Sequence, residues 1–460
     1  MKEKRFDIKY TNLLKGIAVL LLLLHHVLNL SYPYTSIVPK RILVHLVSCG
    51  KICVAIFLIL SGYGMYLSYN KIQEKNAKQD VIFIARHVIK ILLSFWIIYI
   101  ICVPVSILFG YSFIEIYGQT GHLWINMLND FLGMAYLRGT SSMNPTWWYL
   151  DVILVYYLIS PLLFRVIKRM KKKSCIFFII FVILTFNFYG LKMCVIYFIP
   201  YLSGAIMAEI NGIEKVLKFG SKFEWIKQVV MFGTFWVIVY VREVILAGDL
   251  GFYKLDWLLA LILIYFSYFY LSTEGKIGKS LISLGKQSGN IFFFHSFIYK
   301  FWLQDLVYGT FKYGILIYIV FLLICYIISK LLEYLQEKTG INNIKKSLND
   351  PVKAVIAAGI YVSVLLVSYA PIAIGHTGIG NLSISTHEDP MHVGTARRLE
   401  IENDILCGSY VKGEWSSSDD AIVTVSYDGV LTAQNEGTAE VMFRLGRKKV
   451  VYTVEVTNTE

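Results

Sequence analysis

Apolar stretches long enough to cross a lipid bilayer recur along most of this chain, at residues 13–30, 43–67, 88–109, 147–164, 175–190, 192–210, 226–246, 255–271, 281–303, 312–333 and 352–375. About 20 apolar residues of helix span a hydrocarbon core roughly 30 Å thick. Backbone polar groups find no water there, so each crossing must satisfy its own hydrogen bonds as a helix. Residues 1–375 therefore read as an all-α polytopic membrane domain with about eleven transmembrane helices. Composition agrees: 56% of the 460 residues are hydrophobic and only 16% are charged, against about a quarter charged in a soluble domain. The first run lacks a small-residue cleavage site, so it is expected to stay in place as a span.

The net charge of +13 sits in short loops, as the positive-inside rule requires of cytoplasmic segments. Lys2, Lys4, Arg5 and Lys9 then lie inside, with Lys71, Lys75, Lys78 and Arg86 and the run from Arg165 to Lys173. Lys215, Lys218, Lys222, Lys276, Lys279, Lys338, Lys345 and Lys346 fall on the same side. The opposite loops, including 110–146, carry few basic residues. With eleven crossings the N-terminus is cytoplasmic and the C-terminus extracytoplasmic. Charge so distributed argues against nucleic acid as a partner and for membrane lipids. Cysteines are odd in number, seven, and mostly lie in apolar runs, so no disulfide framework is expected.

Past about residue 376 the pattern changes. Residues 376–396 read as a polar linker. Residues 397–460 alternate with period two in Ala421–Ser426, Thr438–Phe443 and Val450–Val456, with turn signals at Asp428-Gly429 and Glu436-Gly437. That is the pattern of a small all-β sandwich. His376, His387 and His392 are too widely spaced to suggest a metal set, and no metal or bound cofactor is expected.

The first span holds an unusual pair. Lys15 and His26 are eleven residues apart, about 16 Å along a helix and within about 20° of one face. Asn12 and Asn29 share that arc, while His25 points about 100° away from His26. An ionisable side chain at bilayer depth costs about 2.5–3.5 kcal/mol on insertion scales. A polar stripe on a leucine-built helix must face protein or water.

Lys15-x10-His26 resembles the Arg/Lys-x10-His signature of the acyltransferase-3 family of membrane O-acyltransferases. Further stretches are similar to that family's motifs: Val54–Tyr63 with Ser61-Gly62-Tyr63, Thr146-Trp147-Trp148-Tyr149-Leu150, Tyr197–Gly204, and Leu284–His295 with Ser288 and His295. The resemblance runs over residues 10–335. Two positions depart from it: Lys15 stands where Arg is commoner and lacks its planar fork, and Asn12 stands where Asp is often found. Trp415–Val425 and Asp428–Val441 resemble the bacterial group 2 immunoglobulin-like domain, which implies a bacterial plasma-membrane protein.

What the resemblance implies is transfer of an acyl group, usually acetyl, from cytoplasmic acyl-CoA to a hydroxyl of a cell-envelope or extracellular glycan or glycolipid. The residues suit that chemistry. A sugar hydroxyl needs a base, and a neutral histidine is suitable. His26 is the candidate base; a covalent acyl-histidine relay is the alternative. Lys15 can hold the anionic donor or line its channel, or it can snorkel to lipid headgroups. His295 can orient His26, stabilise the oxyanion or contact the acceptor. Ser61 and Ser288 offer close packing or a ligand contact, and Trp148 and Tyr149 can stack on a sugar. The immunoglobulin-like domain can hold the enzyme near the cell wall. Two other classes stay open: a transporter or flippase of a lipid-linked sugar, and a non-catalytic anchor presenting the β domain.

Overall fold

The computed structural model describes residues 6–28, 34–36, 38–118, 120–187, 193–246, 254–309, 311–385, 390–411 and 413–458. Asn29, His387, the Tyr189-Gly190 joint and the basic residues at 2, 4 and 5 lie outside them. The chain divides into two compact units, 1–111 with 143–358, and 112–142 with 359–460.

The first unit is helical. Helix α1 (Ile8–Val27) starts at Asp7, whose carboxylate accepts from the Tyr10 amide at 2.9 Å, a side-chain cap for an orphan donor. Helix α2 (Lys40–Cys49) leads into α3 (Ile52–Asn70), and α4 (Ala77–Leu108) is capped by Asn76. Helix α3 is among the most buried and packs against α1 and against the helices Phe198–Glu209 and Asp256–Tyr270. Tyr10 ties α1 to the last of these, its phenol donating to the Ser267 carbonyl at 2.6 Å.

Among the described residues, seven helices are long and apolar enough to cross a membrane, or eight if a pair bent by 74° at Ile210–Asn211 counts as one span. That is fewer than eleven apolar windows, for reasons visible in the helices. The stretch Pro145–Thr185 passes as one 41-residue segment, about 60 Å of rise and twice the hydrocarbon thickness. It breaks at Lys171, whose φ is +50°. The helix Asp256–Tyr270 is short, at 15 residues. Residues 276–302 are a broken run: Lys276–Lys286, then Ser288–Ser296, then a π turn over Phe297–Trp302. Hydropathy windows register apolar content but not these breaks.

In the second unit the short helices Phe113–Tyr117 and Ala135–Arg138 pack on Thr120–Phe131, and hydrogen bonds tie this cluster to the later part of the helix Pro351–Thr377. The Tyr361 phenol donates to the Leu132 carbonyl at 2.7 Å, and Arg138 donates to Ser368 at 2.7 Å and to the Leu365 carbonyl at 2.9 Å. Among the described residues nine strands follow: β1 (Leu382–Ile384), β2 (Met391–His392), β3 (Ala396–Arg398), β4 (Ile401–Asn403), β5 (Glu414–Ser417), β6 (Val423–Val425), β7 (Val430–Ala433), β8 (Gly437–Leu445) and β9 (Lys448–Thr457). They form sheets in the orders β1-β4, β2-β9-β8-β5 and β3-β7-β6. Val441, Tyr452, Val454 and Val456 of the four-stranded sheet share one core with Val423, Leu431 and Ala433 of the three-stranded sheet. The segment 376–396, read from composition as a linker, carries β1 and β2 and begins β3. Strands this short leave almost no periodic signal in so polar a stretch.

Candidate active site

Close helix approach builds the site. Helix α1 lies against Lys276–Lys286 with almost no room: a Cβ at Gly16 would meet the Leu281 carbonyl oxygen at 2.1 Å, and one at Gly285 would meet the Asn12 oxygen at 1.8 Å. Such contact needs glycine on both helices. It brings Lys15 and His26 against the run that carries Ser288 and His295.

His26 and His295 face each other, ring centres 4.9 Å apart. Tyr299, one turn beyond His295 inside the π turn, stacks within 6.0 Å of His26 and 6.3 Å of His295. Its hydroxyl lies 3.3 Å from Nδ1 of His26. His295 is completely buried. Its Nδ1 lies 3.0 Å from the Ile291 carbonyl and 2.9 Å from the Phe292 carbonyl. Carbonyls only accept, so this nitrogen carries the proton. His25 turns away, as the helical wheel requires, and its Nδ1 donates to the Val47 carbonyl at 2.9 Å.

Beside the histidines lies a cavity of about 250 Å³ lined by Lys15, Ser61, Ser94, Tyr149, Tyr157 and Ser288, with Phe57, Phe292 and Phe293 among its apolar walls. Four residues singled out from the sequence thus line one space: Lys15, Ser61, Tyr149 and Ser288. Ser61 and Tyr157 hydroxyls are 3.4 Å apart. Among the described residues the Lys15 ammonium has no ion pair or hydrogen-bond partner. Phe292 stands between the cavity and the histidine cluster, packed on Tyr149 at 4.8 Å and on His295 at 6.3 Å.

Trp148 is not among the cavity-lining residues; it stacks on Tyr197 at 4.9 Å. Its neighbour Trp147, passed over in the sequence, is buried and donates its indole N–H to the Phe293 carbonyl at 2.9 Å. Thr146 meets Ser296 at 3.1 Å. The Thr146-Trp147-Trp148 motif thereby pins the helix that presents His295. Helical period already puts Tyr299 within about 60° of Ser288, on the face of Gly285 and His295; Tyr157 is a further member that sequence reading did not place. Tyr157 had no signal beyond its helix.

A largely apolar cavity that carries one cation and several hydroxyls, next to paired imidazoles, can bind an anionic ligand and move a proton. The model for the acyltransferase domain of the acyltransferase-3 family matches residues 8–330. Neither the curated proteins nor the solved structures yield a match. With some 70% of its length inside that match, carrying every residue of the cavity and of the histidine cluster, the chain belongs to the acyltransferase-3 family.

Proposed function

We propose that this membrane acyltransferase moves an acyl group, most simply acetyl, from cytoplasmic acyl-CoA to a hydroxyl of a cell-envelope glycan or glycolipid. One observation carries the reading: a lysine unpaired among the described residues lines a cavity whose Phe292 wall packs on one of two facing imidazoles. The ammonium of Lys15 suits the phosphates of the donor. The cavity hydroxyls of Ser61, Tyr149, Tyr157 and Ser288 suit its amides and carbonyl. The imidazole pair takes the proton as the hydroxyl oxygen bonds to the acyl carbon, and the thiolate leaves with that proton. In this reading the chain crosses the bilayer eleven times, with the N-terminus inside and an immunoglobulin-like β domain outside, near the cell wall. The plasma membrane of a bacterium is the setting that this layout fits.

Inside-out vesicles supplied with acetyl-labelled CoA test it. Labelled glycan should form with the wild type and vanish with His26→Ala at equal protein level. Full labelling by His26→Ala removes the site assignment. Glycan translocation without any label favours a transporter.

A further inference from the structure

His295 has one nitrogen committed and one not. Nδ1–H is spent on the carbonyls of Ile291 and Phe292, so in the neutral ring Nε2 is a bare lone pair. That atom is fully buried and, among the described residues, has no hydrogen-bond partner. A buried acceptor left unsatisfied is destabilising, so such an atom calls for an explanation. Three roles are open to an imidazole here, and the geometry separates them. Stabilising an oxyanion needs an N–H, which Nε2 lacks. Orienting His26 needs a hydrogen bond between the rings, and Nε2 makes none; Nδ1 of His26 is met instead by the Tyr299 hydroxyl. Receiving a hydrogen bond from an incoming donor is the role that remains. A thioester carbonyl cannot supply that hydrogen, whereas a hydroxyl can.

We infer that Nε2 of His295, rather than His26, is the docking point and proton acceptor of the acceptor hydroxyl. This assignment rests on the acyltransfer reading. The hydroxyl oxygen forms the C–O bond to the acyl carbon while its proton passes to Nε2. Collapse of the tetrahedral intermediate breaks the C–S bond, and the departing sulfur takes the proton back from Nε2. His26, 4.9 Å away ring to ring and held by Tyr299, is left to contact the acyl group. The ligand group is narrow: a hydroxyl of the acceptor meets His295, while the anionic donor belongs to the Lys15 cavity.

The full chain in vesicles decides it, with His295→Gln and His295→Ala assayed for donor affinity, acceptor KM and turnover. Glutamine can still accept a hydrogen bond but cannot take the proton. His295→Gln should therefore keep both affinities and lose turnover about 100-fold or more, the size of a positioned base. Added imidazole should restore part of the turnover of His295→Ala. Turnover within threefold of wild type in His295→Gln overturns the assignment, and if His26→Ala is inactive in the same vesicles the acyltransferase reading survives. Loss of folded protein in both His295 variants makes the residue scaffold and also overturns it. Absence of any transfer by the wild type removes the acyltransferase reading itself.

Discussion

Tyr299 holds Nδ1 of His26 from a position on the π turn, and π turns recur where a side chain must be re-aimed at a site. Tyr299→Phe removes only the hydroxyl. A lost buried hydrogen bond costs about 1–3 kcal/mol; felt in the transition state, that is about a 5- to 150-fold fall in turnover. Donor affinity should be unchanged, as steady-state kinetics in vesicles would reveal. Lys15 has the opposite signature. Lys15→Met should raise the donor KM about tenfold or more, the worth of a hydrogen bond to a charged group, with a smaller effect on turnover, and Lys15→Arg should largely restore it. A Lys15→Met variant with unaltered KM would return this lysine to a lipid-anchoring role. At this scale the sequence was informative about residue type and face, because eleven residues on a helix fix an angle. It gave Trp148 and Tyr149 one shared role, stacking on a sugar, and could not separate these adjacent residues, of which one packs on Tyr197 and the other lines the cavity.

Between elements, the contact of α1 with Lys276–Lys286 positions the whole site. Gly285→Val puts branched carbons where the Asn12 carbonyl oxygen already stands, and overpacking of this kind typically costs about 1–3 kcal/mol or more. The variant should melt several degrees lower, by fluorescence-detected size exclusion in detergent, and lose transfer in proportion to loss of fold. A separate expectation concerns the turn between β6 and β7. The Ser426 hydroxyl donates to Asp428 at 2.6 Å, and with Arg398 nearby holds its carboxyl below the ordinary carboxylate value. Stability from this contact is in place above the ordinary value, about pH 4. It fades as pH falls through the lowered folded value. Asp428→Asn should flatten that limb of the β unit's melting temperature against pH. The motif windows around Gly62 and Gly285 were legible because close helix packing demands small residues. The strands β1 and β2 were not, since two or three residues cannot display a period.

For the molecule as a whole, the charge distribution makes a topological prediction. Cysteines introduced at Lys172 and Lys345 should be labelled only from the cytoplasmic side, and one at Tyr427, 92% exposed on the β unit, only from outside. Labelling of 172 and 427 from the same side would show that one crossing has been miscounted. Residue chemistry alone determined that this chain lives in a bilayer, that a cation and an imidazole share one face of α1, and that a β unit follows. Those properties are local: hydropathy and helical period act within a few turns. Only the folded chain decided that His26 meets His295 across some 270 residues of sequence, that Lys15 faces a cavity without a counterion among the described residues, and which nitrogen of His295 is bare among them. Each depends on how closely helices distant in sequence approach and on which carbonyl a ring happens to face, and no periodicity within one helix encodes that.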